Sequence, residues 1–307
     1  VESEVQMIRL NLFTTPDHFQ HYIPLFLHCW TKVYPQYPVD VAVMGTLDDV
    51  SVEALKLVDV KIRVIGDAFS PVGNSVTQGV FSDIPKNAST ANLARFLFPK
   101  DDMGKYGKGT TGIFITDIDF LYFNAGEDVI EWHKKKALES SLPYWAHHGP
   151  LKKPERFPGQ RWEGPFERLA GGAAYLSAEW YRVCEDSIEK HRKQLIAGTI
   201  GVYREQDEVI FCRISKESGL TIPQDKSYPA KFRCIHLGDF KKEMDHRWQN
   251  MDKMREKLTN ENCRRYMEMA YGDPQWQKIK EIICQGDPII DQIFKNLHTH
   301  IASRGLA

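Results

Sequence analysis

Hydrophobic positions in the first hundred residues switch repeatedly between two periods. Val5 to Phe13 alternates and then runs apolar (Val5, Met7, Ile8, Leu10, Leu12, Phe13), the pattern of a strand. Thr14-Thr15-Pro16-Asp17 interrupts it with residues suited to a helix start. From His18 to Val33, Phe19, Tyr22, Ile23, Phe26, Leu27 and Trp30 recur at helical spacing, until Pro35 and Pro38 stop the run. Val39 to Met44 is a second apolar run, Asp48 to Val58 a second helical stripe (Val52, Leu55, Val58), and Val60 to Ile65 a third apolar run. This β-α-β-α-β order predicts a parallel, doubly wound sheet, whose ligands lie beyond the carboxyl ends of the strands. The Thr14 to Asp17 loop is then expected to border the ligand site.

Asp67 to Lys86, rich in Gly, Ser, Pro and Asn, reads as a loop. Ser89 to Pro99 reads as a capped helix closed by Pro99, with Leu93, Phe96 and Leu97 facing inward and Arg95 among them. An arginine there is either one partner of a structural ion pair or a fork-shaped donor held for an aspartate or a phosphate. The segment Gly112 to Phe123 (GIFITDIDFLYF) opens as a strand buried on both faces and is then broken by two carboxylates. In an extended chain Asp117 and Asp119 point the same way while Ile118 turns into the core, so the pair can share one hard cation. Two charges at the end of a buried strand are costly unless a metal, a partner or water meets them.

Asp128 to Leu142 suits a polar helix. In Pro143 to Phe166, prolines and glycines interrupt every periodicity, which argues for a long loop. Its Tyr144, Trp145, Lys152, Arg161 and Trp162 suit a sugar or an ordinary surface. Adjacent His147 and His148 diverge in an extended loop and make a poor metal pair. Gly171-Gly172 enter an apolar strand ending at Ser177, where they permit either a close backbone approach or a tight turn. Glu205-Gln206-Asp207 lead into an amphipathic helix, and His236 ends a short apolar run. From Lys242 a charged helical tail carries Trp248, Met251, Trp276, Ile279, Ile283, Ile290 and Phe294 at helical spacing, for packing on the sheet domain or for association as a homodimer.

Composition narrows this picture by exclusion. At 307 residues the chain suits one α/β domain with an appendage, and 40 basic against 41 acidic residues argue for neither nucleic acid nor an acidic membrane as the main partner. The six cysteines are scattered, as expected of buried thiols in a reducing compartment, although an even count leaves disulfides open. No apolar run approaches the roughly 20 residues that span a bilayer, and no basic leader opens the chain, so a cytoplasmic location is expected. Neither G-x-G-x-x-G nor G-x-x-x-x-G-K-[ST] occurs, against a dinucleotide dehydrogenase or a P-loop enzyme.

Several segments, in order, resemble one family. Thr90 to Pro99 (TANLARFLFP), the Phe114 to Asp119 strand, Gly171 to Arg182, Glu205-Gln206-Asp207 and His236 to Lys241 (HLGDFK) are together similar to the motifs of GT-A fold glycosyltransferases, most similar to the family 8 type that includes glycogenin and bacterial lipopolysaccharide hexosyltransferases. Gly171-Gly172 stand where that family has Asn-Ser, the histidine segment is one residue short, and Glu205 replaces an aspartate. The resemblance implies an α/β GT-A fold, a Rossmann-like, mostly parallel central sheet flanked by helices, over residues 1–241, with a helical C-terminal appendage over 242–307. It also implies a hexosyltransferase that moves sugar from a nucleotide diphosphate sugar, UDP-sugar favoured, to a glycan hydroxyl. Asp117, Asp119 and His236 would hold Mn²⁺ or Mg²⁺. Thr14, Arg95, Thr116, Asp117, Gly171, Gly172 and Lys241 would contact the donor, and Gln206 and Asp207 would lie at the reacting carbon. With retention of configuration these two stabilise positive charge; with inversion, Asp207 or Glu205 becomes the base. Rival readings are a sugar nucleotidyltransferase, which should carry a Gly-rich basic loop after the first strand, and a noncatalytic glycan-binding protein on the same fold.

Overall fold

Alternating strands and helices at the N-terminus build the sheet from the inside outwards. The computed structural model describes residues 7–64, 74–79, 84, 87–98, 110–123, 126–152, 166–201, 206–224, 234–241 and 258–306. Strand β1 (Met7–Thr14) leads through a 3-10 turn into α1 (Tyr22–Val33), then β2 (Val39–Val43), α2 (Asp49–Leu55), β3 (Lys61–Val64) and β4 (Ser75–Gln78). Helix α3 (Ala88–Leu97) precedes β5 (Thr110–Thr116) and the short β6 (Phe120–Tyr122). Helix α4 (Val129–Glu139), β7 (Tyr144–Lys152) and β8 (Phe166–Ser177) follow, then α5 (Ala178–Val183), α6 (Glu185–Ile196) and α7 (Gln206–Glu217). The chain continues with β9 (Cys234–His236) and three last helices, α8 (Asn260–Gly272), α9 (Pro274–Gly286) and α10 (Pro288–Ala302).

Seven strands form one sheet in the order β3-β4-β2-β1-β5-β8-β7, and β6 pairs with β9 in a second, two-stranded sheet. The strands from β3 to β5 in that order are parallel, whereas β8 runs antiparallel to β5 and β7 antiparallel to β8. The mixed α/β class and the parallel orientation of β1, β2 and β3, the first three apolar runs, match the periodicity. Apolar side chains alternate across the sheet into two cores. Leu10, Leu12, Val41 and Phe114 face α1, α2, α4 and the last three helices. Phe13, Ala42, Ile113, Ile115 and Leu176 face α3 and α5 to α7. All six cysteines are unpaired thiols, and no helix among the described residues is long and apolar enough to cross a membrane.

Three expectations are corrected. The segment expected to be a loop between Asp67 and Lys86 contains β4, which lies between β2 and β3. Its Ser75 and Thr77 are buried although polar, because both hydroxyls donate to buried Asp40 on β2, at 2.8 and 3.4 Å. The segment expected to be an irregular loop from Pro143 contains β7, with Tyr144, Trp145 and Ala146 buried against β8. Its register shifts after Ala146 and again after Gly149, and its place at the sheet edge accommodates Pro150. Residues 153–165 of that segment lie outside the described residues. Finally, β5 ends at Thr116, and Asp117-Ile118-Asp119 forms a turn into β6, so strand alternation does not govern the two aspartates.

The C-terminal helices share the first core: Tyr266, Trp276, Ile279, Ile283, Ile290, Phe294 and Leu297 are buried in it. Trp248, Met251 and Met254 lie outside the described residues. Two histidines of the N-terminal region grip the caps of those helices. Asp273 caps α9 and meets His28 Nε2 at 2.7 Å. Asp287 caps α10 and meets His21 Nδ1 at 2.7 Å, while His21 Nε2 lies 2.6 Å from Asp48, the cap of α2. Asn296 of α10 donates to the carbonyl of Phe240 at 2.8 Å, so the tail also buttresses the segment after β9.

Candidate functional site

The parallel strands deliver their carboxyl ends to one edge, where a cleft of about 590 Å³ opens. One wall begins with the turn after β5. Because β6 and β9 pair with Phe120 opposite His236, and Leu237 N–H donates to the Asp119 carbonyl at 2.8 Å, the histidine is carried to the aspartate. His236 Nε2 lies 3.1 Å from Asp119 Oδ2, its Nδ1 lies 3.0 Å from Asp239 Oδ1, and its ring stacks on Phe120 with centroids 4.7 Å apart. Burial opposes a charged imidazole, but the Asp119 charge and the hydrogen bonds to Asp119 and Asp239 outweigh it and raise the His236 pKa well above the ordinary value. Burial works to raise the Asp119 pKa, and the His236 charge and hydrogen bond overcome it, leaving that pKa lowered. A Cβ at Gly238 would stand 2.8 Å from Asp119 Oδ2 and 2.9 Å from His236 Nε2, so glycine keeps the approach to both atoms open. Lys241 lines the same wall, its ammonium 5.7 Å from the Phe19 ring.

A second part of the lining is built on Arg95, which α3 holds 3% exposed. Its Nη1 donates to Asp117 Oδ1 at 2.6 Å and to the Thr116 carbonyl at 3.2 Å, and Nη2 donates to Asp207 Oδ2 at 3.1 Å. Burial disfavours the guanidinium charge, and the two carboxylates more than offset it, raising the Arg95 pKa. Burial raises the Asp207 pKa, which Arg95 counters only in part. Thr116 Oγ1 donates to the Gly172 carbonyl at 2.8 Å, and Asp117 N–H donates to the same oxygen at 3.3 Å. A Cβ at Gly172 would fall 2.9 Å from Asp117 Oδ2, which accounts for one of the paired glycines as a close backbone approach.

Thr14, Arg95, Thr116, Asp117, Asp119, Gly172, Asp207, His236 and Lys241 therefore border one cleft. Phe13, Thr15 and Phe19 also line it, and the buried Thr15 hydroxyl has no hydrogen-bond partner among the described residues. One expected site residue, Gln206, is not among the described residues lining the cleft. Gly171 sits on β8 beside Gly172, and Gln206 accepts from the Gly201 N–H at 2.7 Å. Glu205 lies outside the described residues. Asp117 and Asp119, expected to face one way, are divided between Arg95 and His236.

Two cleft residues escaped the sequence reading, Arg168 on β8 and Glu208 on α7, joined by an ion pair. Arg168 stands four residues before Gly172 and Glu208 immediately follows Asp207, which was the available signal.

A carboxylate and an imidazole left accessible by Gly238 form a donor set suited to Mn²⁺ or Mg²⁺. No group of three potential ligands is assembled among the described residues, so remaining positions would fall to substrate or water oxygens. In the metal-free protein the His236 imidazole is expected to titrate well above about 6.5 in a histidine NMR titration, and to fall in Asp119→Asn. Such a raised pKa contributes stability that is full below the unfolded value and is lost as pH rises through the folded one. An unshifted midpoint in the parent protein would rule out the charged pair.

No family model matches this chain, and no curated protein matches it.

Proposed function

We propose that this protein is a metal-dependent hexosyltransferase of GT-A architecture, transferring sugar from a nucleotide diphosphate sugar, UDP-sugar favoured, to a glycan hydroxyl. The observation that carries the reading is the juxtaposition, across one cleft at the carboxyl edge of the sheet, of the Asp119–His236 pair beside Lys241 with the Arg95–Asp117–Asp207 network. Asp119 and His236 would hold the cation, with Asp117 adjacent and its Oδ1 engaged by Arg95. When bound, that cation supplies Lewis-acid stabilisation to the departing diphosphate. Lys241 adds a point charge for the same phosphates. Thr14 and Thr15, beside the Phe19 ring, give the nucleoside a polar edge and an apolar face. The orphaned Thr15 hydroxyl is a group that a ribose or base can satisfy.

Asp207 would face the developing oxocarbenium charge. Its Oδ2 already accepts from Arg95, which fixes the carboxylate in place. Electrostatic stabilisation, with retention of configuration, is the role we propose for it. Gln206, directed to the Gly201 turn, has no part in the step as we propose it.

Calorimetry tests the reading. A nucleoside diphosphate such as UDP is expected to bind with Mn²⁺ present and to lose most of its affinity when the metal is chelated. Failure of a panel of nucleoside diphosphates and nucleotide sugars to bind under either condition would overturn it, and glycan binding indifferent to metal would favour a noncatalytic lectin.

A further inference from the structure

Beyond Thr116, which pairs with Ala173, the sheet loses β5, but β8 does not stop there. Its first half continues past the carboxyl edge and pairs with β7 through His148 with Leu169, Gly149 with Arg168, and Lys152 with Phe166. The result is a two-stranded ribbon overhanging the cleft. Arg168 and Gly172 both border the cleft, and the register with β7 shifts between Ala174, which pairs with Ala146, and Leu169, which pairs with His148. Gly172 packs against Asp117, whereas Arg168 donates from Nη1 to Glu208 in the first turn of α7. Both side chains of the pair are mostly buried, at 18% and 17% exposure, and both border the cleft. The neighbouring Glu167 is paired with Lys216 near the other end of α7, which pins the ribbon at a second point.

We propose that the Arg168–Glu208 pair is the acceptor-binding station of the cleft, selecting an uncharged sugar over a phosphorylated or carboxylated one. The inference rests on the glycosyl-transfer reading above. With the diphosphate at Asp119 and Lys241 and the reacting carbon at Asp207, the ribbon lies on the outer side of the reaction centre, where an incoming hydroxyl must approach. Glu208 cancels the Arg168 charge, so an anionic acceptor gains nothing unless it displaces a charge-assisted bond in a partly buried setting. Hydroxyl groups face no such barrier, since a hydroxyl can donate to a carboxylate and accept from a guanidinium without bringing a charge. The pair therefore discriminates by neutrality and by the spacing of hydroxyls.

The test compares transfer to methyl glucoside and methyl galactoside with transfer to the corresponding 6-phosphates, using the donor found by calorimetry. Arg168→Met and Glu208→Gln are expected to raise the KM for the neutral acceptors about tenfold, equivalent to roughly 1.4 kcal/mol. The Kd of UDP with Mn²⁺ is expected to move less than about twofold. Glu208→Gln should also shift preference towards the 6-phosphates, because it removes the anionic charge that pairs with Arg168 Nη1, and Arg168→Lys should recover part of the lost neutral-acceptor affinity. Circular dichroism and thermal melting identify any variant that merely misfolds, in which case Arg168→Lys carries the comparison. An unchanged acceptor KM in folded variants overturns the proposal, as does a donor Kd weakened as much as the acceptor KM. Absence of nucleotide binding by the parent protein overturns the transfer reading and this proposal with it.

Discussion

Arg95→Met is expected to destabilise the fold by about 3–5 kcal/mol, the range for removing one partner of a buried ion pair. Methionine preserves much of the side-chain volume that α3 buries, so the loss is electrostatic and not a cavity effect. Without the guanidinium, Asp207, 5% exposed, keeps its charge in a poorly solvated position and Asp117 loses its 2.6 Å donor. The Thr116 carbonyl loses one donor as well. Asp207 already has a raised pKa through burial, and removing Arg95 takes away the charge that counters it. An acid whose folded pKa exceeds its unfolded value weakens the fold increasingly as pH rises through that interval, and the penalty fades as pH falls below the unfolded value near 3.9. The difference between Arg95→Met and the parent should therefore shrink in acid, and Arg95→Met/Asp207→Asn should recover part of it at neutral pH. Urea denaturation midpoints at several pH values measure both effects. A loss below about 1 kcal/mol, the range of exposed pairs, would show that the network does not behave as buried.

The second large effect falls on activity. Asp119→Asn keeps the shape of the side chain and removes the anionic oxygen 3.1 Å from His236. On the function we propose, metal-stimulated transfer is expected to fall about 10²–10⁴-fold, because Lewis-acid stabilisation of a leaving group is worth several kcal/mol and each 1.36 kcal/mol is tenfold in rate. Folding should survive, since His236 keeps its contact with Asp239 and its stack on Phe120. The His236 pKa should drop, as burial then acts against the imidazolium with less opposition. Initial rates with Mn²⁺ and with chelator, alongside melting curves, are the required measurements. Activity within a few-fold of the parent under both conditions would sink the metal mechanism.

Much of the site was legible because its parts are local. Arg95 stood out as a cation on an apolar helix face, and Gly172 as a residue permitting close approach; the contacts to Asp117 and Asp207 and the 2.9 Å Cβ approach are their tertiary expression. The aspartates were legible as a pair but not in their roles. The alternation used to orient them ends one residue too early, at Thr116, and a turn sends each carboxylate to a different partner. Gln206 and Asp207 are adjacent in sequence, yet successive helix positions face different directions, one to the Gly201 turn and one to Arg95.

Hydrophobic period reports how one side chain is divided between a core and its surroundings. It was therefore enough, from the sequence by itself, for the α/β class, the parallel start of the sheet, the helices from α1 to α4, and the approximate position of the cleft after β1 and β5. It could not place β4, whose Ser75 and Thr77 are buried by bonding to Asp40 thirty-five and thirty-seven residues away, at 2.8 and 3.4 Å. Nor could it place β7, whose edge position absorbs a proline and register shifts that would break an internal strand. The partners His21–Asp287, Arg95–Asp207 and Arg168–Glu208 were likewise decided only in the tertiary structure. A charged side chain carries no periodic mark of its partner, and the cost of burying it is removed only when packing brings an opposite charge from a distant element.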